Sequence, residues 1–490
     1  LFIFACYALE FLKKKFDIYA SGGNGMKRNG SRLFGIMAAA AVVIVLLAGC
    51  NLFSRPKDTF NNVSITPDNT GRIESGDTDR LEESSEDLNF EAKGDIAPKG
   101  AKVVAPEPPV PEGYAIVAEI KAPAVPDDET KVLGATSVFI SQDYKKAYVT
   151  YNLAGPDRYG AIDIVDISTP DKPSLVQSVI YKDTDINAVF VYKYGTGAFM
   201  YIAGSMSKER LAELSGLGAD TFEAKNATLE RVTLSADGLF RTKADGSIDP
   251  AKLYSKLSNL PGYQTTSVYQ TYSPADRYVF ATAGDDPTGG TFALSYSSFP
   301  TIIDQDLYDN AKYLDIELTA RYPKQITLEG GRNTAGTLHV YTVGKSDASA
   351  HLKIDLGEVN TQDTQNAVDL YQNIAYLALG AGGMKAFDIT KAPDNTPKYQ
   401  MTKADPENEI VCNAVASDGT MVYMAMGAGG LWVAPLANAD AEGNLPPFEA
   451  SNFGSSANFV TYDPTSGLIF VAGGTQGLKI ISGGVSANAY

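Results

Sequence analysis

Few residues in this 490-residue chain are of a type that does chemistry. Its two histidines, His339 and His351, leave little material for a metal site or for imidazole acid–base work. His339 alternates with Leu338 and Val340, which reads as a histidine packed into a strand. Three cysteines, Cys6, Cys50 and Cys412, cannot make a disulfide framework, and Cys412 reads as a small buried apolar side chain. Asp157, Arg158 and Tyr159 are adjacent and could combine a carboxylate with a cation and a phenol, as a lyase or hydrolase would need. Asp285 and Asp286 could contribute to a Ca²⁺ site, but the D-x-[DN]-x-[DN]-G loop with its distal Glu is missing. Asp166 and Asp388 stand at strand ends and fit Asx turns. No G-x-S-x-G, H-E-x-x-H, C-x-x-C or phosphate-binding glycine loop occurs. The expectation is no catalytic residue, no metal and no cofactor.

Composition narrows the partners. Lys and Arg total 41 against 58 Asp and Glu, a net charge of −17 that repels phosphate backbones and argues against nucleic acid. A hydrophobic fraction of 44% can fill a large core, and 45 glycines point to many turns.

The first fifty residues read as an address. Met26 opens a basic stretch (Lys27, Arg28, Arg32), and an apolar run follows from Leu33 to Leu47. The run is shorter than the ~20 residues of a membrane span. Leu47-Ala48-Gly49-Cys50 resembles the lipobox of bacterial lipoproteins. That resemblance implies cleavage at Cys50 and its lipidation, which would anchor the chain to the bacterial envelope membrane. An extracytoplasmic position, at the outer membrane, is then expected. Residues 1–25 fit badly before such a signal and read as an upstream mis-assigned extension, with 26–49 as the signal peptide. From 50 to 112 the chain is acidic and proline-rich without an apolar period, so a disordered tether is expected there.

Beyond it the sequence repeats. Each unit holds an apolar strand, a glycine turn and a second apolar strand, the latter headed by Gly160, Gly290, Gly336, Gly383, Gly430 or Gly477. The last four stand 47 residues apart, and Ala227 fills the slot in a longer second unit. Seven units with four short strands each predict an all-β, seven-bladed β-propeller over 113–490. The seventh unit lacks a last strand, and Tyr114–Ile120 should supply it and close the ring. Insertions at about 205–226 and 249–261 both have helical spacing, so a small helical insertion is expected in the second blade region. The phrases AYLALGAGGMKAFDITKAPDNTP (375–397) and YGAIDIVDISTPDKPSLVQSV (159–179) resemble the LVIVD repeat. The resemblance implies a cell-surface or secreted propeller and brings no catalytic residues with it.

Strands alternate in direction, so the b–c and d–a connections share one face. Both insertions are expected there, above the longer b–c loops. The candidate binding residues are therefore Asp157, Arg158, Tyr159, Asp285, Asp286, Arg332 and Asn333, with Asn187, Asn366 and Asn413 around the channel mouth. The expected role is a monomeric binding module for a protein or glycan. A propeller enzyme and a structural envelope component are the alternatives.

Overall fold

The computed structural model describes residues 63–92 and 112–483, apart from short gaps at 127, 196, 223–225, 254, 272–277, 285–288, 318–321, 344–349, 362–364, 403 and 451–452. The expected signal segment, Cys50 and the expected extension 1–25 lie outside the described residues.

Each repeat folds into one antiparallel sheet of strands a to d, and seven such sheets make the propeller. Blade one shows why its strands are apolar on both faces. In strand c (Gly160–Asp166), Ala161 and Val165 join Ala147 and Val149 in the core shared with blade seven. Ile162 and Ile164 point the other way and pack with Ile186 and Val189 of blade two. A sheet buried between two neighbours loses the polar half of its alternation.

Five strands precede this ring in the chain: β1 (Ser64–Ile65), β2 (Ile73–Ser75), β3 (Leu81–Asp87), β4 (Glu91–Ala92) and β5 (Ala115–Ile120). As expected, β5 completes blade seven, pairing with strand c from Leu478↔Ile120 to Ser482↔Ala115. The other four correct the expectation of a disordered tether across 63–92. β1 adds a fifth strand to blade two and β2 to blade one, while β3 pairs with β5 in blade seven and β4 joins blade six. An outermost strand is held mainly by backbone hydrogen bonds, so it needs no apolar period; β1 and β2 bury one isoleucine each, Ile65 and Ile73. The LEESSED sequence of β3 is mostly exposed.

Two arginines, one buried and one half-buried, fix this arm. The Arg72 side chain is fully buried and every N–H is used: Nη1 and Nη2 grip Glu230 at 3.1 and 2.7 Å, and Nε reaches Asp183 at 2.9 Å. Asn69 and Thr184 accept the remaining two. Arg80 reaches Asp163, a fully buried carboxylate in the seam between blades one and seven.

The first insertion is helical as expected. α1 (Lys208–Ser215) is capped by Ser207, whose side chain accepts from Arg210 N, and ends at Gly216 in the left-handed region. Its Leu211 packs with Ile65 of β1 and Leu257. The second insertion is a correction. Ser255–Leu260 is strand d of blade two, paired with strand c from Ala227↔Leu260 to Val232↔Ser255. Only Pro250–Lys252 forms a helical turn, and it belongs to the c–d connection on the opposite face. Leu253, Leu257 and Leu260 mimic helical spacing, but each enters a different cluster. Leu253 packs between blades one and two, Leu257 with Ile65 and Leu211, and Leu260 on the other face against blade three.

Replacing Arg72 with Ala strands the buried Glu230 carboxylate without a counter-charge, while Asp183 keeps Arg210. A loss of about 3–5 kcal/mol is expected, measurable as a lower denaturant midpoint at unchanged slope. A shift within error of zero would mean that the arm does not hold the ring.

Candidate functional site at the mouth of the channel

Strand a lines the channel, and in four blades it carries a β-bulge at one level. Register slips at Thr136 in blade one, Asn187 in blade two, Thr266 in blade three and Lys312–Tyr313 in blade four. A bulge re-aims a side chain out of the strand's alternation. All five of these residues line one cavity of ≈ 630 Å³ at the channel mouth. Asn413 and Asn458 join them from the starts of strand a in blades six and seven, with Asn152, Gln264, Gln365 and Ser456 nearby. Lys312 and Glu409 are the charged members of this lining.

The same residues tie each blade to the next. Thr136 Oγ1 donates to Ile186 O at 3.0 Å, and Asn187 Nδ2 donates to Thr265 O at 2.9 Å. Asn413 Nδ2 donates to Ala457 O at 2.9 Å, and Asn458 Nδ2 closes the ring on Ala135 O at 3.1 Å. Backbone bridges run beside them: Gly380 pairs with Cys412, Gly427 with Ala457 and Gly474 with Ala135. These three glycines have φ of 55°, 57° and 51°, which a residue with a Cβ adopts at a cost.

Further along strand a the polarity inverts, and carboxylates accept from the next blade. Asp315 accepts from Leu370 N and Asp369 from Ser417 N, each at 2.8 Å. Burial pushes Asp315 up to about 6, and burial with the neighbouring Asp315 charge holds Asp369 well above the usual carboxylate range.

The sequence-predicted residues separate into groups. Asn187 and Asn413 do line the mouth. Asn366 does not: it is fully buried at φ 54°, its Nδ2 donates to Ala378 O, and Gln365 takes the rim position. Asp157 is exposed and paired with Lys131 at 3.0 Å, well outside the lining. Arg158 donates to Asp185, and Tyr159 packs half-buried against the core of blades seven and one. Burial raises Asp185 to about 6 against the opposing pull of Arg158. Arg332 and Asn333 belong to strand c of blade four (Arg332–Thr342) rather than to a loop, because that strand runs on to pair Arg332 with Asn360. Asp285 and Asp286 lie outside the described residues. Asp166 and Asp388 form the expected Asx turns, accepting from Ser168 N and Thr390 N. Cys412 is fully buried, which pushes its thiol up. Sequence reasoning missed Thr136, Thr266, Lys312, Tyr313 and Asn458, although each stands near the start of a recognised strand a.

Asp369 generates a pH prediction. A carboxyl whose folded pKa is raised contributes stability that is full below the unfolded value near 4 and is lost as pH rises. Stability should therefore fall as pH climbs from 4 through about 6, the value Asp315 reaches. Asp369→Asn keeps an acceptor for Ser417 N and removes the charge. Its melting temperature should exceed that of the wild type at pH 7.5 and match it near pH 4. A gain that is the same at both pH values would contradict the assignment.

No family model and no curated protein matches this sequence. Solved structures with a similar backbone include the "Structure of Dos1 propeller", 10% identical over 83% of this chain and 95% of that one, with a TM-score of 0.45. The "Crystal structure of RRP9 WD40 repeats" is 8% identical over 71% of this chain and 94% of that one, at 0.45. The "Structure of U3-55K" is 8% identical over 71% and 95%, at 0.44. Likeness at this level carries no functional argument. The strand order stands on its own: the chain is a seven-bladed β-propeller closed by an N-terminal strand.

Proposed function

We propose that this chain is a lipid-anchored, extracytoplasmic propeller that binds a neutral polar ligand, a glycan or a stretch of protein backbone, at the mouth of its channel. One observation supports the binding role above all. Four bulges and two strand starts aim amides, hydroxyls, one tyrosine and the Lys312 ammonium into a single cavity of ≈ 630 Å³, where Glu409 balances the charge of Lys312. That volume falls within the ~300–1,000 Å³ of small-ligand pockets. Amides carry both donors and acceptors, as sugar hydroxyls and peptide groups require. The lyase or hydrolase reading loses its local candidates, since Asp157, Arg158 and Tyr159 are engaged away from the cavity. The anchoring role, its bacterial setting and the LVIVD kinship rest on the sequence segments alone.

The binding role is tested by a glycan array and by pull-down from intact cells. Ser456→Trp would block the mouth while leaving the blade-to-blade ties intact, because Ser456 is exposed and bonds only Asn458 Oδ1 among the described contacts. It should abolish binding, whereas Asp171→Arg in the c–d turn of blade one should not. Loss with the second variant alone would place the site on the wrong face.

Anchoring has its own test. Cys50→Ser should release the chain from the membrane fraction and end incorporation of a fatty-acid analogue. A wild-type protein that takes up no label would refute the anchor.

A further inference from the structure

The two histidines of the chain stand against each other, away from the channel. His339 lies on strand c of blade four and His351 starts strand d (His351–Asn360), two cross-strand positions apart. His339 Nδ1 and His351 Nε2 are 3.0 Å apart. Asp306, on strand d of blade three (Ile302–Leu307), reaches across the seam, with Oδ2 3.5 Å from His351 Nδ1, the nitrogen beside the one that faces His339. One ligand atom from each of the three lies within 4.8 Å of the others.

The surroundings are those of a built site. Glu329 Oε2 sits 2.8 Å from His339 Nε2, so a carboxylate holds the far nitrogen as the donor and leaves Nδ1 as a lone pair facing His351. Tyr308 stacks on the His339 ring at 4.2 Å and Tyr341 on the His351 ring at 4.3 Å, fixing both planes. The Tyr341 hydroxyl donates to Asp306 Oδ2 at 3.0 Å and orients the carboxylate. His339 is fully buried, while the His351 and Asp306 side chains keep 30% and 25% of their exposure, which gives an ion a way in.

We infer that Asp306, His339 and His351 form a binding site for a borderline divalent cation, Zn²⁺ first, between blades three and four. Two imidazoles with one carboxylate are the ligands such ions prefer, and three protein ligands leave a fourth position for water. Two ligand bonds of ~2.05 Å at a tetrahedral angle put their atoms ~3.3 Å apart, so the rings need separate by only a few tenths of an ångström, and the half-exposed Asp306 carboxylate closes in on the ion from a spread of up to 4.8 Å. The hydrogen bridging the two nitrogens then leaves His351 Nε2 for its other nitrogen or for solvent. This site is independent of the channel mouth and stands or falls apart from it.

The test uses the full chain freed of metal by chelation, titrated with Zn²⁺ in excess Mg²⁺ so that its acidic surface does not compete. One Zn²⁺ per chain should bind and raise the melting temperature, and Co²⁺ should give the visible absorption of a four-coordinate ion. His351→Gln, at a partly exposed position, should lose binding while its metal-free melting curve matches the wild type. Glu329→Gln should weaken binding about 10–100-fold, as loss of an orienting carboxylate does, and Asp306→Asn at least as much. If His351→Gln itself unfolds, the Asp306→Asn affinity decides. Absence of stoichiometric Zn²⁺ uptake by the wild type, or equal uptake by wild type and Asp306→Asn, would overturn the site.

Discussion

Seven wedge-shaped sheets can close into a ring only if their innermost strands are tied where the apolar area is least. This propeller does so with a single directional rule. At the mouth, a side-chain donor on each participating strand a reaches a backbone carbonyl of the following blade, as Asn413 does to Ala457 and Asn458 to Ala135. Farther along, a carboxylate accepts from the following blade's backbone N–H, as Asp315 does from Leu370. Ala457 O receives both Asn413 Nδ2 and Gly427 N, so both of its lone pairs are used. A net hydrogen bond contributes only about 1 kcal/mol, but leaving such a buried group unmet costs more. The ring is held as much by that penalty as by attraction.

The ties and the cavity are two results of one backbone irregularity. A regular strand a would send alternate side chains into the neighbouring blades and leave the channel mouth to backbone. The bulges at Thr136, Asn187, Thr266 and Lys312–Tyr313 break that alternation at a common height. They give the mouth side chains that differ between blades, on a scaffold that does not. Variation there is tolerable because Thr136 and Asn187 make the same tie with different chemistry.

The fold was legible because the repeat has a steric cause. A Cβ at Gly383 would meet Met401 O at 2.0 Å, and one at Gly477 would meet Ile120 O at 2.0 Å. Strand d crosses so close to the head of strand c that glycine recurs at that slot. The missing strand of blade seven could likewise be found, since Ala115–Ile120 alternates between buried and half-buried positions. The site was less legible for equally physical reasons. A bulge is a slip of register between two strands and leaves no mark on either sequence alone. Arg158 looked available because its partner Asp185 is 27 residues away, in the next blade. The paired histidines were hidden by the same kind of distance: strand pairing brings His351 beside His339, and blade packing adds Asp306. An acidic edge strand such as β3 resembles a tether because water, not a core, receives its side chains.

The arm has a consequence for the order of events during synthesis. Every edge that β1 to β4 occupy belongs to strands made later: Ser64 pairs with Ser258, and Ala92 with Phe448. At ~5–20 residues per second, some 360 residues separate the emergence of β4 from that of its partner, a wait of roughly 20–70 s. An apolar segment exposed for that long would invite aggregation, whereas a segment rich in Asp, Glu and Ser stays dissolved and repels its own kind. The composition that makes the arm look unstructured is thus what lets it wait. The two arginines are then latches that close only when Glu230 and Asp163 have been built and buried.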